Sequence, residues 1–135
     1  MPPASRAAET ARWQAGRRST LQSFSGASVE TAVIRDTPIS NSFADSCVAR
    51  ALWWREPPWR CDTPRAQAAN DSAAAQERAV VESVPDTRYI DLTDRFCSPT
   101  ECHVFISGKL AFRDRHHLAT AFAETLERPL EKALF

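Results

Sequence analysis

The chain has 135 residues, and its 17 Lys and Arg residues balance its 17 Asp and Glu residues. This length suits one domain at most, and the lack of net charge and of a sustained basic block argues against a nucleic-acid or anionic-membrane partner. No stretch approaches the roughly 18 continuous apolar residues that cross a bilayer, and the N-terminal stretch lacks the apolar core of a signal peptide. As written, the sequence predicts neither a transmembrane segment nor an export signal.

The chain begins with a polar stretch that is rich in Ala and Arg. We expect a disordered basic N-terminus over residues 1–12 and a folded domain over residues 13–135. The domain would open with a helix that ends at Gly26. Three large apolar residues could share one face of this helix: Trp13, Leu21 and Phe24.

Two short apolar runs, residues 32–34 and 89–92, predict strands that run into loops. Residues 64–84 lie between them and predict an Ala-rich helix. An amphipathic helix is expected over residues 117–134, with a kink at Pro129. This alternation predicts an α/β fold with a parallel sheet and helices on its faces. Two strands would leave unpaired edges, so we expect part of a larger α/β unit whose earlier strands are absent.

Four cysteines form two pairs that are local in sequence. Cys47 and Cys61 bracket a segment rich in Trp and Pro, whereas Cys97 and Cys102 bracket four residues that precede a possible hairpin around Gly108. This spacing favours two small-loop disulfides, with free buried thiols or a metal site as alternatives. No C-x-x-C motif occurs, so the spacing does not fit a zinc site. Disulfides indicate an oxidising compartment, which conflicts with the lack of an export signal.

Residues 39–64 have neither a helix nor a strand period and predict a long loop, which a disulfide would tie down. This loop carries three tryptophans, Trp53, Trp54 and Trp59. Their rings could pack beneath the stapled loop or line a ligand groove.

The stretch FRDRHHLATAF places Asp114 three residues before His117. A carboxylate that orients a neutral imidazole can make it a general base. Asp at this position is also an ordinary N-cap for the predicted helix, so both interpretations stay open. His116, between the two, is interpreted as a surface residue.

With these elements in order, the chain resembles the C-terminal half of an SGNH (GDSL-like) hydrolase domain, and more narrowly the SGNH domain of bacterial acyltransferase family 3 proteins. The matching stretches are VIRDTP, YIDLTDRFC and LAFRDRHHLATAFAETL, together with both cysteine pairs. The resemblance implies a partial three-layer α/β/α, flavodoxin-like fold with a short parallel sheet and its N-terminal strands missing. It also implies that Asp114 orients His117 as the general base for a serine, beyond the carboxyl ends of the strands.

The sequence departs from the family at the nucleophile. It lacks the Gly-Asp-Ser block and the Gly-x-Asn context of the oxyanion hole, and its only glycines are Gly16, Gly26 and Gly108. Each missing oxyanion donor would forfeit roughly 3 kcal/mol of transition-state stabilisation. We therefore expect a truncated SGNH domain, related to O-acyltransferases and esterases that act on acyl esters of cell-surface glycans, which is weakly active or inactive alone.

The resemblance further implies an acyl ester or glycan substrate, a membrane acyltransferase region upstream, and an extracytoplasmic location anchored through that missing region. Neither a cofactor nor a metal is implied. The alternative is a non-catalytic carbohydrate-binding or interaction module, in which Trp53, Trp54 and Trp59 contact the ligand.

Overall fold

The structure is a computed structural model that describes residues 3–135. Two compact units can be distinguished within it. The first comprises the chain through Ile34 together with Ser72–Ile90, and the second comprises Arg35–Asp71 together with Asp91–Phe135.

Helices and short strands are interspersed along the chain. The helices are α1 (Pro3–Gly26), α2 (Ala44–Trp53), α3 (Arg65–Ala68), α4 (Asp71–Glu82), α5 (Thr120–Ala123) and α6 (Glu127–Leu134). The strands are β1 (Thr31–Ile34), β2 (Thr63–Pro64), β3 (Thr87–Ile90), β4 (Glu101–Cys102), β5 (Phe105–Ile106) and β6 (Lys109–Leu110). Turns of 3₁₀ helix occupy Pro58–Cys61, Thr93–Arg95 and Glu124–Leu126.

The first unit contains the only parallel strand pair among the described residues. β1 and β3 pair in parallel, with Val33 opposite Tyr89. A small core forms where Leu21 of α1 meets Val81 and Val84. The prediction of a mixed helix and strand fold with a short parallel sheet is thereby confirmed.

Helix α1 begins at Pro3, within the segment 1–12 for which the sequence predicts disorder; Met1 and Pro2 lie outside the described residues. Alanine has the highest helix propensity, which explains how this Ala-rich segment can be helical without a packed face. The division of the chain at residue 13 stays a prediction. Trp13 and Phe24 are exposed, so of the predicted apolar face only Leu21 is buried.

The second unit has a larger core, built by three phenylalanines from different parts of the chain. The ring centroid of Phe96 lies 5.7 Å from that of Phe112 and 5.2 Å from that of Phe122. All three side chains are buried. Around them, β2 pairs with β4, and β5 pairs with β6 in the predicted hairpin, whose turn places Gly108 at a positive φ of 77°.

Helix α2 lies where the sequence predicted a long loop, and that prediction is wrong. Its buried residues are Ala44, Val48 and Ala51, which recur at the spacing of one helix face. Two of these three residues are alanines, so the face was too weakly apolar to stand out beside the neighbouring tryptophans and prolines.

Two predicted helices are interrupted. The segment 64–84 divides at Asn70, whose φ of 42° lies outside the right-handed helical region, so α4 starts anew at Asp71. The C-terminal helix divides at Glu124–Leu126 rather than at Pro129. Pro129 lies in the first turn of α6, where the N–H group that proline lacks would have no partner within the helix.

Both predicted disulfides are present, and the structure describes no free cysteine within residues 3–135. Cys47–Cys61 links positions 14 apart and Cys97–Cys102 links positions 5 apart. Loop-closure entropy gives about 3 kcal/mol of stabilisation for the longer loop and about 2 kcal/mol for the shorter one. The cysteine spacing was therefore a sound guide to the covalent framework.

A buried arginine organises the polar part of the second unit. Arg35 donates to Asp71 at 2.7 Å, to Asp91 at 3.0 Å and to the backbone carbonyl of Ala69. Arg65 donates to the other side of the Asp71 carboxylate at 3.1 Å. Burial alone would lower the pKa of Arg35, but its hydrogen bonds to the two carboxylates outweigh that effect and raise it. The guanidinium therefore stays charged although it is buried.

This network predicts a loss of stability in acid. Hydrogen bonds from Arg65, then Arg35, lower the pKa of Asp71 from 3.8 to about 2. Because the folded-state pKa is the lower one, the stabilisation is complete above pH 4 and disappears as the pH falls towards 2. The side chain of Asp71 is 51% exposed, so screening limits the contribution to less than about 1 kcal/mol.

Urea unfolding of the wild type and Asp71→Asn at pH 7 and at pH 2.5 measures this effect. We expect the wild type to be more stable than the variant at pH 7 and the difference to shrink in acid. An unchanged difference would contradict the assignment.

None of the helices between residues 3 and 135 combines the length and the apolar composition required to cross a bilayer.

Candidate active site

Asp114 and His117 lie in a short loop between β6 and α5. Phe112 pairs with Leu118 at the base of this loop, and the N–H of Arg113 donates to the carbonyl of His117 at 2.9 Å. The buried ring of Phe112 anchors the loop in the core. Residues 113–117 are therefore closed into a compact turn that presents polar side chains to solvent.

The two oxygens of Asp114 have different tasks. Oδ1 accepts the backbone N–H groups of His116 at 2.9 Å and of His117 at 2.8 Å. Oδ2 lies 2.6 Å from Nδ1 of His117. The backbone bonds are those of a capping aspartate, but helix α5 begins only at Thr120, so Asp114 caps a turn and not a helix. The side chain of Asp114 thus accepts the backbone hydrogen bonds of the turn and also orients the imidazole of His117.

The backbone N–H groups of His116 and His117 hold the pKa of Asp114 well below its ordinary range. The carboxylate is therefore ionised at neutral pH and can only accept hydrogen bonds. A neutral His117 must then carry its proton on Nδ1, which leaves Nε2 as an acceptor. The side chain of His117 is exposed, so Nε2 can meet a reactant that arrives from outside this loop.

His116 stacks beside His117, with 4.2 Å between the ring centroids. Its Nδ1 lies 3.9 Å from Oδ1 of Asp114, which is too long for a hydrogen bond. The exposed position of His116 agrees with its interpretation as a surface residue. Asp114, His116 and His117 each offer one donor atom within 4.8 Å of the others, a set that could hold a divalent metal. The expectation of a site that works without metal is untested.

The loop is tied to the segment that precedes α2. The N–H of Ser40 donates to the carbonyl of Arg115 at 2.7 Å, and Nε of Arg115 donates to the carbonyl of Ser40 at 3.2 Å. These reciprocal bonds hold the turn that carries Asp114 and His117 against a buried part of the second unit. The pair is therefore fixed in place by its own turn and also by this tether.

A second carboxylate and imidazole pair was not foreseen from the sequence. Nδ1 of His103 lies 2.6 Å from Oδ2 of Asp62, and Oδ1 of Asp62 accepts the N–H of Val104 at 3.2 Å. The residues are 41 positions apart, so no spacing pattern could reveal them. Asp62 follows Cys61 and His103 follows Cys102, so each disulfide holds one member. This pair links two stapled segments, and the side chain of Asp62 is 9% exposed.

Trp53, Trp54 and Trp59 are exposed and do not pack beneath the stapled segment. Of the two arrangements that the sequence allows, packing beneath the loop is therefore excluded. Contact of the three rings with a ligand stays a prediction, as does catalysis by Asp114 and His117.

The sequence matches the family described as SGNH domain (fused to AT3 domains) over residues 2–132. Neither the curated proteins nor the solved structures include a match to this chain.

Proposed function

The chain belongs to the family of SGNH domains that are fused to AT3 domains, and from this membership we propose that it carries the base half of an acyl-transfer site. The observation that supports the proposal is the 2.6 Å contact between ionised Asp114 and Nδ1 of His117. The reaction would be transfer or hydrolysis of acyl esters on cell-surface glycans. The serine would come from a Gly-Asp-Ser block outside these 135 residues.

In the proposed reaction, Nε2 of His117 accepts the serine proton while Oγ attacks the carbonyl carbon of the ester. Asp114 stabilises the imidazolium that forms. The tetrahedral intermediate then expels the alcohol, which takes its proton from His117, and the acyl group stays on the serine. A glycan hydroxyl or water next attacks the acyl-serine and gives its proton to His117, which returns it to the departing serine oxygen.

The described residues supply only part of this machinery. The sequence contains no Gly-Asp-Ser block and no Gly-x-Asn context. Without a nucleophile the covalent route is closed, and without oxyanion donors the largest electrostatic contribution is lost. We therefore propose that Asp114 orients His117 and that His117 transfers the serine proton, and we expect little activity from these residues alone.

The surroundings of the site fit an extracytoplasmic domain. Two disulfides staple the second unit, and disulfides persist in oxidising compartments. Fusion to AT3 domains in this family favours a membrane acyltransferase region upstream. Such a region would anchor the domain at the cell surface, close to the glycans that it modifies.

Activity measurements on the chain as given test the proposal. With p-nitrophenyl acetate we expect hydrolysis close to the uncatalysed rate, and with a fluorophosphonate probe we expect no labelled serine. The coding DNA upstream should encode Gly-Asp-Ser and membrane-spanning segments, and the longer product should label at that serine. Strong labelling of the 135-residue chain, or an unrelated upstream region, would refute the proposal.

A further inference from the structure

An exposed aromatic corner projects from the second unit at the end of α2. Trp53, Trp54 and Trp59 are 80%, 67% and 69% exposed. Since a tryptophan side chain buries up to about 250 Å² in a core, these three rings leave on the order of 500 Å² in water. Isolated surface tryptophans are unremarkable, but three exposed tryptophans within seven positions are more than chance exposure explains. We call residues 50–60 the tryptophan corner.

The tryptophan corner is held in one shape. The Cys47–Cys61 disulfide joins helix α2 to the 3₁₀ turn that contains Trp59. The N–H of Glu56 donates to the carbonyl of Ala51 at 2.8 Å, and Glu56 forms an ion pair with Arg60. Two consecutive prolines stiffen the connection. The rings are therefore carried on a rigid backbone, so little backbone order would be lost on binding.

The sequence as a whole has no net charge, which disfavoured an anionic membrane, but the local charge of the tryptophan corner points the other way. It contains three arginines and one acidic residue, and Arg60 already neutralises that residue, Glu56. Within residues 3–135, Arg50 and Arg55 take part in no ion pair, so two cations flank the rings. The guanidinium groups of Arg50 and Arg55 offer hydrogen-bond donors and positive charge but no acceptors, whereas sugar hydroxyl groups are neutral and bind through donors and acceptors alike. The negatively charged headgroups of anionic phospholipids complement these two positive charges better than neutral sugars do.

We propose that the tryptophan corner is a membrane-contact surface that seats on anionic phospholipid. Tryptophan rings favour the boundary between headgroups and acyl chains, because one edge is polar and the rest is apolar. Arg50 and Arg55 would pair with lipid phosphates, as basic residues beside a membrane do. The proposal concerns where the domain sits and is independent of its acyl chemistry.

Vesicle binding of the whole 135-residue chain tests the proposal. We expect it to float with vesicles of phosphatidylcholine and phosphatidylglycerol at 7:3 and to bind pure phosphatidylcholine much more weakly. Brominated lipid should quench its fluorescence. Replacing Trp53, Trp54 and Trp59 with alanine should abolish the flotation, whereas Trp13→Ala, which alters an exposed tryptophan of the first unit, should leave it unchanged.

The double variant Arg50→Gln with Arg55→Gln tests the role of charge separately, because it keeps all three tryptophans of the corner. Basic residues near an anionic surface contribute enough that binding to the 7:3 vesicles should fall roughly 30-fold. Circular dichroism and intact disulfides would show that both variants are folded. Equal flotation of wild type and both variants would overturn the proposal. Quenching by neutral oligosaccharides without any lipid binding would overturn it too and assign the corner to a glycan.

Discussion

Replacing His117 with alanine is expected to lower acyl-ester turnover by about 10³-fold, within the range of 10² to 10⁴ that general-base catalysis contributes. The measurement requires protein in which the serine-bearing segment is joined to this chain. His117 is exposed and makes no core contact that alanine would remove, so stability should stay close to that of the wild type. The loss should fall on kcat, because the imidazole acts on a proton and not on substrate affinity.

His116→Ala is the matched control. The imidazole ring of His116 lies 4.2 Å from that of His117 and is also exposed to solvent, yet the ring makes no hydrogen bond to Asp114. We expect less than about a twofold change in kcat. Asp114→Asn should reduce kcat strongly, since an amide can stabilise the wrong tautomer and cannot stabilise the imidazolium. Equal losses in His116→Ala and His117→Ala would contradict the assignment of the base.

Phe112→Ala should lower the free energy of unfolding by about 3 to 5 kcal/mol, which is the usual loss for a buried phenylalanine. The side chain of Phe112 is 2% exposed and packs on Phe96. Alanine would leave a cavity between Phe96 and the loop that begins at Arg113. Because Phe112 also pairs with Leu118 at the base of that loop, the contact between Asp114 and His117 should loosen as well.

Urea denaturation measures the stability loss. Two further variants test whether the loss comes from the buried ring of Phe112. Phe112→Leu fills most of the space and should lose only about 1 to 2 kcal/mol. Phe43→Ala removes a ring that is exposed on the surface and should stay within about 0.5 kcal/mol of the wild type. A loss at Phe43 as large as that at Phe112 would contradict the assignment of Phe112 to the core.

Local patterns predicted the covalent framework well, and they also bring together the two residues of the candidate site. The two cysteine pairs are close in sequence, so their spacing alone limited the possible links. Asp114 and His117 are three positions apart, and the geometry of one turn brings them together. The parallel strands were visible as short runs of β-branched and other apolar residues. In each case the information lies within a few residues.

What the sequence did not reveal depends on distant partners or on small side chains. Asp62 and His103 meet only through the fold, since each is held beside a different disulfide. Helix α2 was hidden because alanine marks a buried face less clearly than leucine does. The helix breaks at Asn70 because this residue has a positive φ, which asparagine tolerates. The spacing of apolar residues along the sequence gives no sign of such a conformation.

The five-residue turn from Arg113 to His117 builds its acid and base contact from its own residues, and the bonds between Arg115 and Ser40 and the buried ring of Phe112 hold that turn in place. Backbone N–H groups orient the carboxylate of Asp114, and that carboxylate orients the ring of His117. Phe112 pairs with Leu118 where the turn begins and ends. Preorganisation is thus complete before any nucleophile is present, and a hydroxyl need only be delivered to the free nitrogen. A scaffold that received this turn would therefore also need a buried anchor in place of Phe112 and a partner for Arg115 in place of Ser40.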